Sequence, residues 1–120
     1  MAPAALLALA SAFNLSCDLR ATIGVGKESA TMESRLELRI DLAAMRWCEY
    51  ECYETKPVQA ATETTLTLID DKSPDTGYEM FTISRETGRY DHRNYWRDTY
   101  FLRTGKCEPR PFSGFPKQRF

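Results

Sequence analysis

Few residues in this 120-residue chain could perform acid–base or nucleophilic chemistry. The single histidine, His92, is flanked by Asp91 and Arg93 in a segment whose pattern predicts a strand. Neighbours in a strand point to opposite faces, so neither residue can orient the imidazole locally. Nucleophilic catalysis needs a base held beside the nucleophile, and the paired carboxylates Asp70 and Asp71 lie in a predicted polar turn. We therefore predict that the protein is not an enzyme and has no catalytic residues.

A glycine-rich segment, Gly24 to Lys27, invites comparison with a phosphate-binding loop. That loop needs an earlier glycine, where Ala21 stands, and a Ser or Thr after the lysine, where Glu28 stands. The segment instead favours a hairpin turn. We predict no cofactor.

Four cysteines form an even set, which favours two disulfides in a small exported domain. Three connectivities are possible. The preferred one pairs Cys17 with Cys107, joining the two ends of the domain, and Cys48 with Cys52. Residues four apart in a straight strand are too distant for a disulfide, so the second pair requires a turn at residues 49–51.

Metal binding and redox catalysis are the alternative roles for the thiols. Zinc ligands usually have closer spacing, and His92 is the only histidine. A redox pair favours Cys-x-x-Cys, whereas Cys48 and Cys52 are separated by three residues. We therefore predict no metal site.

The first twelve residues resemble the end of a secretory signal peptide. The run MAPAALLALASA places small residues at Ala10 and Ala12, before a cleavage site at Phe13. It has no basic n-region, so the alternatives are a helix docked on the domain and, from the lipobox-like Leu15-Ser16-Cys17, a lipid anchor. We expect a leader over residues 1–12, a single β-domain over 13–120, and a periplasmic or secreted protein.

Alternation of apolar and polar residues predicts strands throughout the mature chain. Leu36, Leu38, Ile40 and Leu42 alternate with charged residues, as in a half-buried strand. Similar patterns predict strands at 13–23, 35–42, 45–53, 62–69, 78–84, 89–96 and 99–103. The fold class is therefore all-β, an antiparallel meander of six or seven strands forming a small barrel or sandwich. Its core is thin for its length, so disulfides are expected to stabilise it.

Charge is distributed unevenly along the chain. Residues 1–84 carry 7 basic and 13 acidic side chains, and residues 85–120 carry 9 basic and 4 acidic. The candidate binding surface is Arg89, Arg93, Tyr95 and Arg97, which suits a polyanion or an acidic envelope protein. The alternative is that these arginines form cross-strand ion pairs near Glu37, Glu49 and Glu51.

Total charge and hydropathy limit the partners further. The 16 basic and 17 acidic residues nearly cancel, so total charge indicates no nucleic-acid partner. No stretch after the leader is long and apolar enough for a membrane span. We expect a monomer.

Three segments resemble small exported proteins of Gram-negative bacteria that have no assigned function: LRIDLAAMRWC (38–48), ISRETGRY (83–90) and CEPRPFSGFPKQRF (107–120). The resemblance implies a secreted or periplasmic β-domain and no particular site. The chain is also similar to periplasmic lysozyme inhibitors of the small β-barrel type, which place one cysteine in the first strand and one near the end. It lacks their Ser-Gly-x-x-Tyr inhibitory motif.

Three functions follow as hypotheses. The first is an exported, non-enzymatic binding or structural module of the periplasm or cell envelope. The second is a periplasmic inhibitor of a lysozyme-type enzyme that presents the loop at residues 49–51. The third is a barrel that binds a small ligand, although a meander of this length encloses little volume.

Overall fold

The computed structural model describes residues 11–49, 54–72 and 77–115. Every regular element in these ranges is a β-strand. In chain order the strands are β1 (Ala12–Val25), β2 (Glu28–Asp41), β3 (Arg46–Glu49), β4 (Lys56–Pro57), β5 (Ala60–Ala61), β6 (Thr65–Asp71), β7 (Tyr78–Ser84), β8 (Arg89–Trp96) and β9 (Thr99–Arg110). The described ranges contain no helix with the length and hydropathy needed to cross a membrane.

All these strands belong to one antiparallel sheet with the order β4-β3-β2-β1-β9-β8-β7-β6-β5, which curls into a half-barrel. Apart from β1 with β9, every pairing joins strands consecutive in sequence. The edge strands β4 and β5 are separated in the chain only by Val58 and Gln59. The N–H of Val58 donates to the carbonyl of Met45 at 2.9 Å, and that of Gln59 donates to Thr67 at 2.9 Å. One short segment therefore links both edges of the sheet.

The predicted all-β antiparallel meander is confirmed, and the predicted count of six or seven strands is wrong. The seven predicted segments each contain a strand. The two additional strands, Lys56–Pro57 and Ala60–Ala61, have only two residues each. Such strands are too short to show the alternation on which sequence prediction depends.

Glycines lie both in hairpin turns and inside strands. The hairpin turn predicted within residues 24–27 is confirmed at Gly26 and Lys27, between β1 and β2. The β7–β8 hairpin has the predicted bounds, and Gly88 in its turn adopts φ 80°. By contrast, β1 continues through Gly24 to Val25, and β9 continues through Gly105 to Arg110. The backbones of β1 and β9 approach closely at Gly105, where a Cβ atom would lie 2.0 Å from the carbonyl oxygen of Asp18. Gly105 therefore permits close strand packing and does not end the strand.

The inner face of the sheet encloses a core filled by side chains. Alternate apolar residues of β1 and β2 are buried there together with aromatic residues from both arms of the sheet. Trp47 and Phe81 meet edge to face, with ring centroids 5.6 Å apart. The largest fully buried side chains are Trp47, Tyr90, Phe81, Leu15, Leu38, Ile40, Leu66, Leu68 and Ile83.

A disulfide joins the first and last strands. Cys17 and Cys107 face each other in the β1–β9 register, with Cα atoms 4.0 Å apart and a sequence separation of 90. This confirms the predicted pairing of the two ends of the domain. Cys48 is also disulfide-bonded. Cys52 lies outside the described residues, and so do the predicted Cys48–Cys52 bond and most of its turn.

The C-terminal segment 111–115 packs on the outer face of β1 and β2. Asn14, 3% exposed, donates through Nδ2 to Glu37 Oε1 at 2.8 Å and to Ser113 Oγ at 2.9 Å. The backbone N–H of Ser113 donates back to Asn14 Oδ1 at 3.2 Å. Arg39 Nη1 donates to the carbonyl of Gly114 at 3.0 Å. The predicted leader falls almost entirely on residues 1–10, which are outside the described ranges.

Candidate binding surface

Strand β8 separates its side chains between the two faces of the sheet as the sequence predicts. Tyr90 and His92 are buried on the inner face. Arg89, Arg93 and Tyr95 alternate with them and are exposed on the outer face. Three of the four residues of the predicted binding surface therefore share the outer face of one strand.

Arg93 is held by an acidic neighbour on the same strand. Its Nε donates to Asp91 Oδ1 at 2.8 Å and its Nη2 donates to Asp91 Oδ2 at 3.2 Å, which forms a two-pronged ion pair. The hydrogen bond and charge of Asp91 raise the pKa of Arg93 above its ordinary value, and Tyr95 adds a smaller contribution. A guanidinium has five N–H donors, so Asp91 fixes the orientation of Arg93 and leaves donors for a ligand.

Tyr95 lies at the centre of a row of three tyrosines that crosses the strands. It pairs with Tyr78 on β7 and with Tyr100 on β9. The ring centroids are 6.0 Å apart for Tyr78 and Tyr95 and 6.3 Å apart for Tyr95 and Tyr100, with interplanar angles of 40° and 32°. Tyr95 is 41% exposed, and the outer two are half-buried. We call Tyr78, Tyr95 and Tyr100 the tyrosine row.

Gly24 extends the tyrosine row onto β1. It pairs with Tyr100 in the sheet, and a Cβ atom at Gly24 would lie 2.0 Å from Tyr100 Cε1. The tyrosine ring therefore occupies the space that any larger residue would need. The row thus runs across β7, β8 and β9 and ends over the backbone of β1.

The other two arginines of the predicted surface lie apart from this group. Arg89 is at the opposite end of β8, where it pairs with Lys106. Arg97 is in the β8–β9 turn with φ 55°, and its guanidinium carbon is 5.0 Å from the Trp96 ring centroid. The structure therefore groups Arg93 and Tyr95 with Tyr78 and Tyr100, which were not among the predicted surface residues.

The predicted alternative, ion pairing of the arginines with acidic strands, does not describe Arg93, which pairs within its own strand. Glu37 instead accepts a hydrogen bond from Asn14, and Glu51 is outside the described residues. Glu49 does bind an arginine: its Oε1 lies 3.6 Å from Nη2 of Arg103. That arginine faces the interior of the half-barrel.

His92 is the buried member of an ionic cluster on the inner face, and the other side chains of that cluster are partly exposed. Its ring stacks on Phe81 with centroids 4.7 Å apart. Nε2 lies 2.8 Å from Glu79 Oε2, and Nδ1 lies 3.3 Å from Arg103 Nη2. A neutral imidazole protonated on Nε2 satisfies both contacts, because it donates to Glu79 and accepts from Arg103. We call Glu49, Glu79, His92 and Arg103 the ionic cluster; it links β3 to β7, β8 and β9 across the interior.

Burial favours the neutral form of His92. Burial lowers the pKa of His92 below 6.5, the hydrogen bond with Glu79 opposes this, and the charge of Arg103 lowers the pKa further. Asp91 and Arg93 lie on the other face, as predicted. The partners of His92 come from neighbouring strands, so the residues adjacent to it in sequence do not identify them. The sequence feature that could have indicated a partner for His92 is Glu79, a charged residue at an inward position two residues before Phe81.

Exposed apolar residues continue the inner face beyond the ionic cluster. They lie where the β1–β2 and β8–β9 hairpins extend past the core, and the N–H of Gly26 joins the two turns by donating to the carbonyl of Asp98 at 2.9 Å. We call this set the inner rim; it consists of Ile23, Val25, Met32 and Trp96, which are 46 to 61% exposed.

Within the described ranges no group of three or more His, Cys, Asp or Glu residues could hold a metal ion. No protein-family model matches the chain, and no curated protein or solved structure is significantly similar to it. The site and the fold are therefore the basis for assigning a function.

Proposed function

We propose that the protein is an extracytoplasmic, non-enzymatic binding domain of the bacterial cell envelope. Its binding surface is the tyrosine row together with Arg93. The observation that supports this most directly is the alignment of three partly exposed aromatic rings beside an oriented guanidinium on one rigid sheet. Exposed aromatic residues and arginine are enriched at binding surfaces because they combine contact area with specific hydrogen bonds.

The disulfide and the leader support the extracytoplasmic location. Disulfides persist in oxidising compartments and are rare in the cytosol, and Cys17–Cys107 joins the two ends of the domain. The predicted signal peptide precedes the first buried strand. A protein with these features fits the periplasm or the extracellular space.

The structure gives less support to the other two hypotheses. A small-ligand barrel requires an internal cavity, but the centre of this half-barrel is filled by residues such as Trp47, Phe81 and Leu38. For a lysozyme-type inhibitor the predicted loop begins at Glu49, whose carboxylate faces Arg103 inside the domain. The rest of that loop lies outside the described residues.

Sedimentation with isolated Gram-negative envelope fragments tests the proposal. We expect the purified oxidised protein to sediment with the fragments and the Tyr95→Ala variant to remain in the supernatant. Met32→Ser is the matched control, since it removes an exposed apolar side chain from the inner rim and leaves the outer face intact. Equal sedimentation of wild type and Tyr95→Ala would contradict the proposed surface.

The intact mass of the exported protein tests its location. We expect the mass of a chain that begins near Phe13. Reduction should increase this mass by the amount expected for two disulfides. A protein that retains its leader and has four free thiols would contradict export.

A further inference from the structure

We propose that the ligand of the tyrosine row is an acidic polysaccharide. Its sugar rings lie across β7, β8 and β9, one against each tyrosine, and a carboxylate or other acidic substituent pairs with Arg93. This inference rests on the proposed function, because it names the partner of the same surface.

The geometry of the row suits a chain of sugar rings. The C–H groups on the faces of a pyranose are weakly positive, and the face of an aromatic ring is negative, so the two attract when they stack. Centroid separations of 6.0 and 6.3 Å allow one extended chain to contact all three rings. The three phenolic hydroxyls can both donate to and accept from sugar hydroxyls.

The charge beside the row favours an acidic glycan over a neutral one. Arg93 lies two residues before Tyr95 on the same strand and face. Asp91 fixes two of its N–H donors, and the others can bind an anionic group. Arg93 is also about half exposed as a side chain, so a polymer in solution can reach it.

The density of charge disfavours a nucleic acid. Single-stranded nucleic acid also stacks on aromatic residues, but it carries a phosphate at every nucleotide and needs a continuous basic groove. Here one arginine accompanies three rings, and the carboxylate of Asp91 already neutralises part of its charge. A polymer whose charges are few or widely spaced matches this surface better.

Binding assays with defined polymers test the inference on the full-length oxidised protein. We expect affinity electrophoresis and calorimetry to detect binding to hyaluronate or gellan, in which neutral sugars separate the carboxylates. We expect weaker binding to a neutral β-glucan, and none to poly-glutamate or poly-dT. Tyr95→Ala and Arg93→Gln should each lower the affinity for the acidic glycan by roughly tenfold. Met32→Ser should leave it unchanged.

Asp91→Asn is a variant that should raise the affinity for the acidic glycan instead of lowering it. The amide oxygen of asparagine can still accept a hydrogen bond from Arg93, while the negative charge that repels an anionic ligand is removed. We therefore expect tighter binding of the acidic glycan. If Asp91 had only a structural role, its substitution would not increase the affinity for the acidic glycan.

The outcomes separate the inference from the proposed function. Equal affinity for the neutral glycan, or binding of poly-glutamate or poly-dT with the same variant pattern, overturns the acidic-glycan inference. If no glycan binds but envelope sedimentation still depends on Tyr95, the proposed function stands and the inference fails. If sedimentation is also independent of Tyr95, both fail.

Discussion

The ring of Tyr100 on β9 lies directly over Gly24 on β1, in the space that a side chain at position 24 would occupy. This contact holds one end of the tyrosine row against the sheet. It also gives a way to move a tyrosine without removing it.

We predict that Gly24→Ala displaces the Tyr100 ring and weakens glycan binding. The obstructing atoms belong to a half-buried side chain that can rotate away, so the cost in unfolding free energy is about 1 kcal/mol or less. In the wild type the Hα protons of Gly24 should show an upfield ring-current shift in the NMR spectrum. In the Gly24→Ala variant the Hα proton at this position should lack that shift.

Gly26→Ala is the control for the Gly24 substitution. Gly26 has φ 61° with open space around it, so alanine there costs roughly 1–2 kcal/mol through backbone strain and leaves the tyrosine row in place. If both variants bound glycan like the wild type, Tyr100 would not belong to the binding surface.

We predict that loss of the Cys17–Cys107 disulfide greatly destabilises the domain. The bond constrains a loop with a sequence separation of 90, for which the chain-entropy relation gives about 4–5 kcal/mol. Small domains have only about 5–15 kcal/mol in total. Urea unfolding of a Cys17→Ala/Cys107→Ala variant measures the loss, and a change below about 1 kcal/mol would contradict the expected dependence on the bridge.

Patterns that lie along a single strand predicted the strands of the fold well. The alternation of Leu36, Leu38 and Ile40 identified the inner face of β2, and the glycine-rich segment 24–27 identified the β1–β2 turn. Features formed by residues from several strands could not be predicted in this way. The tyrosine row and the ionic cluster depend on the register between different strands, so no single strand segment contains their signal.

We predict that the pKa of His92 in the folded protein is below its ordinary value of 6.5. The unfolded chain then binds more protons than the folded one as the pH falls through 6.5, so folding stability decreases on acidification and is fully present above 6.5. NMR titration of the single histidine measures the pKa directly. A folded-state pKa above 6.5 would contradict the dominance of burial.

Two substitutions in the ionic cluster are expected to shift that pKa in opposite directions. Glu79→Gln removes a carboxylate that raises the pKa of His92, so the pKa falls further. Arg103→Gln removes a positive charge that lowers it, so the pKa rises. The third charged group that faces the ring, Glu49, raises the pKa and is unchanged in both variants. If the pKa of His92 shifted in the same direction in both variants, the substitutions would be acting through packing and not through charge.

We predict that Gly105→Ala is far more damaging than Gly24→Ala, although both replace a strand glycine by the same residue. At Gly105 the added Cβ would lie 2.0 Å from the carbonyl oxygen of Asp18 and 2.9 Å from the Cα of Leu19, so it meets backbone that cannot rotate away. Strand β1 must then separate from β9 two residues from the disulfide. We expect a loss of roughly 3 kcal/mol or more in urea unfolding. A loss as small as that of Gly24→Ala would mean that the two strands are not as close at Gly105 as the structure places them.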